Sequence, residues 1–293
     1  MTYITKPILM KTKTNLHVGS ESINYNIVDK TVQKDSITTL PVINASSSKG
    51  ALRYHFKTKD TDETLMEQIF GKEASSSGDG KEGELKFLDS YLLFLPLRAT
   101  NKPFYHVTSK ANLLSFLDFY SGLCGETEKI EKARKIVEKL EENKVLNADD
   151  TQIEDHSCDK QDLNIDDLLA LFPDNIKPQN IAIFSDENFI DACEHLPIIA
   201  RNKIEVRDTD DNVIEKSNLW YEEIVPRESI FYTAHLAYKN HSKRTTNRAK
   251  HTYNYFYEQL QNGYIQVGAN ASIGFGLCTY AMLDIECKEE ENA

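Results

Sequence analysis

Asp29 is the residue of this chain best placed to do chemistry. Apolar residues precede it, and Lys30 and Lys34 follow. Three roles are open to a carboxylate in that setting. It can hold a hydrated Mg²⁺ against a phosphate, because Mg²⁺ keeps several waters and takes only one or two carboxylates. It can act directly on a proton. It can also cap neighbouring N–H groups in a turn, the commonest fate of a loop aspartate. Shortly before it, His17 lies in a polar turn with Gly19. A lone histidine is more often a hydrogen-bonded structural residue than a catalyst. Glu223, beside the core-type aromatics Trp220 and Tyr221, is a weaker candidate to assist, and an ion-pair partner is its plainer reading.

Two further stretches could hold an anion. Ser46, Ser47 and Ser48 favour the opening of a helix whose first N–H groups lack internal partners. Lys49 and Arg53, four apart, share a face of that helix. Together with the positive end of the helix dipole they suit a run of phosphates. A surface helix with two solvated cations has equal standing. Near the other end of the chain, Gly268, Asn270, Gly274 and Gly276 make a glycine-rich bend after a short strand. Such backbone can present a concave set of N–H groups to phosphate, although Gly-x-Gly alone is weak evidence. Lys239, Lys243, Arg244, Arg248 and Lys250 precede the aromatic helical stretch Tyr253–Tyr257. The cations suit a nucleic-acid backbone, and the aromatics an interior.

These pieces, in this order, resemble the RAMP family of CRISPR-associated proteins. The resemblance rests on His17-x-Gly19, Val28-Asp29 with Gln33-Lys34-Asp35, Leu40-Pro41-Val42-Ile43, and Ser-Ser-x-Lys49-Gly50-x-Leu52-Arg53. It continues through Asp89, Leu92, Leu93, Pro96 and Arg98, then Leu219-Trp220-Tyr221-Glu222-Glu223, and ends at the 268–276 glycine bend. Asn44-Ala45 stands where the family has Pro-Gly, and Ala269 replaces the second glycine of a pair. Within the family the Val-Asp segment is most similar to the backbone subunit of type III-B (Cmr) effector complexes.

The resemblance implies an α+β fold over 1–293: one ferredoxin-like (RRM-type) palm with insertions at about 60–84 and 125–175 and a thumb-like hairpin at 196–226. It also implies a CRISPR guide-RNA-binding subunit that polymerises with further copies of itself and other effector subunits. Target RNA would be cut at regular intervals by metal-dependent 2′-hydroxyl attack at Asp29, with Mg²⁺ the expected ion. Ser47, Ser48, Lys49, Arg53, Gly268, Asn270, Gly274 and Gly276 would hold RNA. A non-cleaving scaffold, the type III-A counterpart, and a metal-independent ribonuclease using His17 are the alternatives.

Charge permits this reading. The net charge is −12, yet residues 1–60 hold nine Lys/Arg against four Asp/Glu. Five cysteines are scattered without a Cys-x-x-Cys pair, which points to a reducing cytoplasm and away from zinc or a disulfide framework. No apolar run approaches the roughly 20 residues that cross a bilayer, so no membrane partner is expected.

The positioning elements follow from pattern. Residues 3–14 read as a strand, 60–70 as a helix, and 85–99 as a buried strand stopped by Pro96. A partner strand at 104–108 and a helix at 111–120 come next. Ile130, Ala133, Ile136, Val137 and Leu140 recur at helical spacing, and the acidic stretch after them reads as solvated loop. His156 and Cys158 within it lack a second ligand pair. Strand 181–184, a helix from 186, a hairpin turning at 208–212 and strand 230–237 complete the layout.

Overall fold

The computed structural model describes residues 3–20, 28–72, 78, 80–209, 212–238, 243–261, 263–285 and 287. Strand β1 (Tyr3–Thr12) enters the centre of a large sheet. Ile8 and Met10 point to one buried layer and Leu9 to the other. That alternation is forced by the strand period of two, and both faces are apolar because helices cover both. Next come β2 (Val42–Ile43), α1 (Ala45–Thr58) and α2 (Glu63–Phe70), whose first turn is capped by Asp62 accepting from Leu65 N–H at 3.2 Å.

The apolar run at 85–99 forms two strands, β3 (Leu85–Phe87) and β4 (Ser90–Leu97). Asp89 in the break accepts from the Ala45 N–H at 2.6 Å, so the interruption ties α1 to the sheet. Pro96 does not stop β4. Beyond Phe94 only β5 (Tyr105–Ser109) runs beside it, and proline is tolerated where one side of a strand has no ladder to lose.

Helices α3 (Lys110–Cys124) and α4 (Glu128–Glu138) are opened by Ser109 and Thr127 hydroxyls. The expected solvated loop that follows is instead three short strands: β6 (Lys144–Leu146), β7 (Thr151–Ile153) and β8 (His156–Gln161). They bury Val145, Leu146, Ile153 and Cys158. Each strand is too short to show a period, which is why composition alone misreads them. His156 stacks edge-on against Phe184 at 4.9 Å.

The short helix α5 (Asp166–Leu169) leads to β9 (Ile181–Phe184) and α6 (Asp186–Glu194). The hairpin is β10 (Ile198–Thr209) with β11 (Asn212–Glu223), a separate two-stranded sheet. The chain returns through β12 (Ile230–Tyr238), α7 (Lys243–Leu260), β13 (Ile265–Gln266) and β14 (Leu277–Met282). Lys239 lies outside the described residues, as do the side chains of Lys243, Arg244, Arg248 and Lys250.

The main sheet has twelve strands, in the order β13-β14-β1-β12-β4-β5-β9-β6-β8-β7, with β2 beside β4 and β3 beside β12. Among the described strands only β5–β9 and β6–β8 run parallel. One core layer, with Leu52, Phe56, Phe70 and Phe256, lies under α1, α2 and α7; the other, with Phe116, Leu117, Ile130 and Leu168, lies under α3, α4 and α5. The α+β expectation holds as a mixed architecture with helices on both faces of one sheet. A further expectation fails: Cys124 and Cys287 form a disulfide (S–S 2.01 Å), linking the end of α3 to the carboxyl-terminal segment. Their separation in sequence gave no spacing signal. Among the described residues no helix is long and apolar enough to cross a membrane.

Candidate nucleic-acid interface

Asp29 lies at the foot of the β10–β11 hairpin. Its Oδ2 accepts the Tyr221 N–H at 2.8 Å, and the residue is exposed. Backbone bonds fix the segment that carries it: Lys30 N–H donates to the Tyr221 carbonyl at 3.1 Å, and Glu223 N–H to the Lys30 carbonyl at 2.9 Å. The capping role and an available oxygen therefore coexist, since Oδ1 has no protein partner among the described residues.

Next to this ladder sits a carboxylate the sequence reading passed over. Glu222 is 1% exposed. Its Oε1 accepts from Lys30 Nζ (3.2 Å) and Trp220 Nε1 (2.9 Å), and its Oε2 from Arg201 Nε (3.2 Å) and Asn270 Nδ2 (2.9 Å). Burial alone would raise its pKa, but the hydrogen bonds from Trp220, Lys30 and Arg201 prevail and hold it at about 2. Arg201 also stacks over Phe275 at 4.5 Å, and Lys30 over Trp220 at 5.2 Å. The available signal was the strand period: Trp220 and Glu222 alternate onto one face, and Leu219 and Tyr221 onto the other, exposed one.

His17 and Glu223 are buried. The His17 Nδ1–H donates to the Glu223 carbonyl at 2.7 Å, while the Glu223 carboxylate accepts from Val32 N–H (2.9 Å) and pairs with Lys34 (3.2 Å). Both side chains hold the hairpin foot to residues 15–20 and 28–34. The His17 carbonyl in turn accepts from Ala269 N–H at 2.8 Å, fastening the glycine bend.

The four residues chosen in that bend separate into kinds. A Cβ on Gly268 would lie 2.3 Å from the His17 carbonyl oxygen, and one on Gly276 would lie 1.9 Å from that of Val267. Both are glycine because backbone passes too close. Gly274 has φ +80° with open space beyond it, and Asn270 is left-handed at φ 65°. Much of the bend's N–H supply is spent internally: Ile273, Gly274 and Phe275 bond within it, and Gly276 to Asn15. Its remaining donors cluster at the open first turn, Ala271–Ser272, of a 3₁₀ helix.

The helix start is also partly used. Helix α1 begins at Ala45 after Asn44, so the serines occupy its first turn instead of capping it. The Ala45 N–H is taken by Asp89, Ser47 Oγ accepts from Gln33 Nε2 at 3.1 Å, and Ser48 is buried. Lys49 and Arg53 are half-buried, with Lys49 Nζ 5.9 Å from the Phe87 ring centre. Gln33 bridges this helix to the His17–Gly19 turn, which the bend joins through Ala269: its side chain also reaches Asn44 N–H and Gly19 O, and its N–H donates to Val18 O. Asp29, α1 and the glycine bend thus belong to one hydrogen-bonded assembly. Among the described residues no group of three or more His, Cys, Asp or Glu is placed to hold a metal ion.

Residues 9–279 match the RAMP superfamily model, and the chain belongs to that superfamily. More narrowly it is Cmr4-like. It is 26% identical over 292 residues to the CRISPR system Cmr endoribonuclease Cmr4 of Pyrococcus furiosus, covering 94% of each chain. It is 26% identical to the CMR subunit Cmr4 of Saccharolobus solfataricus, covering 94% of this chain and 96% of that one. Its fold matches a chain of the type III-B Cmr-beta cryo-EM structure bound to cognate target RNA, with TM-score 0.73 at 22% identity, over 96% of this chain and 98% of that one. It also matches oligomeric Cmr4 from P. furiosus in the crystal, with TM-score 0.69 at 20% identity, over 97% and 99%.

Proposed function

We propose that this chain is the guide-RNA-binding backbone subunit of a type III-B effector complex, and that it cuts the paired target RNA with Asp29. The superfamily membership and the likeness to Cmr4 along almost the whole chain support the assignment. The observation that carries the catalytic part is the Asp29 carboxylate: exposed, oriented by one backbone N–H, and set in the framework that also holds α1 and the glycine bend.

In the reaction the target's own 2′-hydroxyl attacks the adjacent phosphorus. The 5′-oxygen leaves with a proton, and a cyclic phosphate remains. Such chemistry needs alignment and charge relief more than a protein nucleophile. Asp29 is the residue that would hold Mg²⁺, through its open oxygen; Glu222 and Glu223 are committed to cations and N–H groups, so the fit is to a largely hydrated ion. Bound there, the ion supplies charge relief at the phosphate. Lys49, Arg53, Ser47 and the open turn at 270–274 serve the guide strand's backbone. Sequence is left to base pairing, as suits a surface of phosphate-binding groups.

The antiparallel order β14-β1-β12-β4, with α1 after β1 and α7 between β12 and β14, supports reading the centre as a ferredoxin-like palm. The hairpin at 198–223 is then its thumb. We place the complex in the cytoplasm, with further copies of the chain along the guide. The test is cleavage of complementary RNA by protein assembled on guide RNA with Mg²⁺. Asp29→Ala should lower cutting by at least about 100-fold and leave guide binding intact. Undiminished periodic cutting by that variant would remove Asp29 from the chemistry.

A further inference from the structure

Four donors from four separate stretches of the chain meet on one buried side chain. Lys30 comes from the segment of Asp29, Arg201 from β10, Trp220 from β11 and Asn270 from the glycine bend. Each oxygen of Glu222 takes two of them, so both are fully used. A donor pulled away would leave a buried charge under-bonded, which is costly, so the four groups shift as a set. The backbone on either side of Glu222 is the same backbone that aims Asp29, through Tyr221 N–H and the Lys30 ladder. Among the described residues no other side-chain contact links the glycine bend to the segment of Asp29 so directly.

We propose that Glu222 is a positioning residue that couples the glycine bend to Asp29, so that RNA engaging the bend at Asn270 sets the aim of the cleaving carboxylate. This rests on the reading of Asp29 given above. Cutting would then be geared to guide occupancy: a copy whose bend is empty would hold Asp29 off its cutting position. Glutamine cannot substitute for Glu222, because its amide NH₂ would face donors where the carboxylate offers an acceptor.

The experiment uses the full chain assembled on single-stranded guide RNA, with a complementary strand and Mg²⁺. Glu222→Gln should lower kcat by about 100-fold, the cost of displacing a reacting group by about an ångström. The KM for target and the guide affinity should hardly move. Asn270→Gly keeps the left-handed backbone without strain and removes only the amide. It should lower kcat less than Glu222→Gln does. It should also abolish any change that guide RNA causes in the emission of Trp220, the chain's single tryptophan. A guide-dependent emission change that survives in Asn270→Gly would mean RNA reaches Trp220 directly, and the coupling would be wrong. Wild-type kcat in a folded Glu222→Gln protein would overturn it equally. Should Glu222→Gln fail to fold, the Asn270→Gly emission arm still decides. Full cutting by Asp29→Ala, in contrast, strikes the underlying reading and is told apart by that variant alone.

Discussion

The two ends of the main sheet are built on different principles. Around β13-β14-β1-β12 the chain is held by buried polar groups: Glu222 and Glu223, His17, and glycines that let carbonyls pass close. At the other, the layer under α3–α5 reaches back to Leu9 and Tyr232 and is largely apolar, with Phe116 stacked on Phe172 at 5.8 Å and edge-on to Tyr120 and Tyr232. Buried polar networks yield little net stability but fix geometry; apolar burial yields stability and little direction. The first end can therefore aim a carboxylate, and the second end makes a fold in which aiming is worthwhile.

Phe116→Ala should break the apolar end alone. Removing a ring that is fully buried costs about 3–5 kcal/mol, read as a lower urea midpoint. Guide affinity, measured where the variant is still folded, should match wild type. A parallel loss of affinity would show that the two ends are not separable.

A smaller cut tests the polar end. Gly276→Ala places a methyl against the Val267 carbonyl at a left-handed φ of +72°, and should cost about 3 kcal/mol together with much of the guide affinity. Gly274→Ala shares the backbone angle but meets open space, and should cost about 1 kcal/mol. Thermal unfolding of the pair separates crowding from strain; equal losses would mean the close approach at Gly276 is relieved by movement.

Much of this was legible beforehand, for physical reasons. The central strands announce themselves because both faces are buried and their runs are apolar. Helices α2, α3, α4 and α6 carry their caps in sequence at Asp62, Ser109, Thr127 and Ser185. Asp29 and the glycine bend stood out through the family resemblance, since their surroundings alone favour a capping turn and an ordinary loop. What stayed hidden was long-range. Glu222 looks like half of an ordinary acidic pair until Lys30, Arg201 and Asn270 are brought to it by pairing across distant segments. Ser48 reads as a helix opener, and only the packed structure buries it. Strands β6–β8 are too short to show a period, and Cys124 finds Cys287 across a separation no spacing rule covers.

The most gradual effect is pH, and it should reach the core before the hairpin foot. His235 is fully buried between β12 and α7 with Tyr253 and Tyr257, and burial pushes its pKa down to about 3. A histidine held neutral in the fold takes up a proton only on unfolding, so its share of stability is intact above about 6.5 and lost as pH falls below that. By pH 6 the loss is about 1 kcal/mol, growing by up to about 1.4 kcal/mol for each further unit down toward 3. Glu222 is also depressed, so it too contributes above the ordinary carboxylate range, and that contribution fades only between there and about 2. Between pH 6.5 and 5 global stability should therefore drop while Trp220 emission from folded protein stays constant, because its carboxylate partner is still charged. Emission that tracks the global loss from pH 6.5 would show that the hairpin foot is governed by the core histidine and not by its own carboxylate.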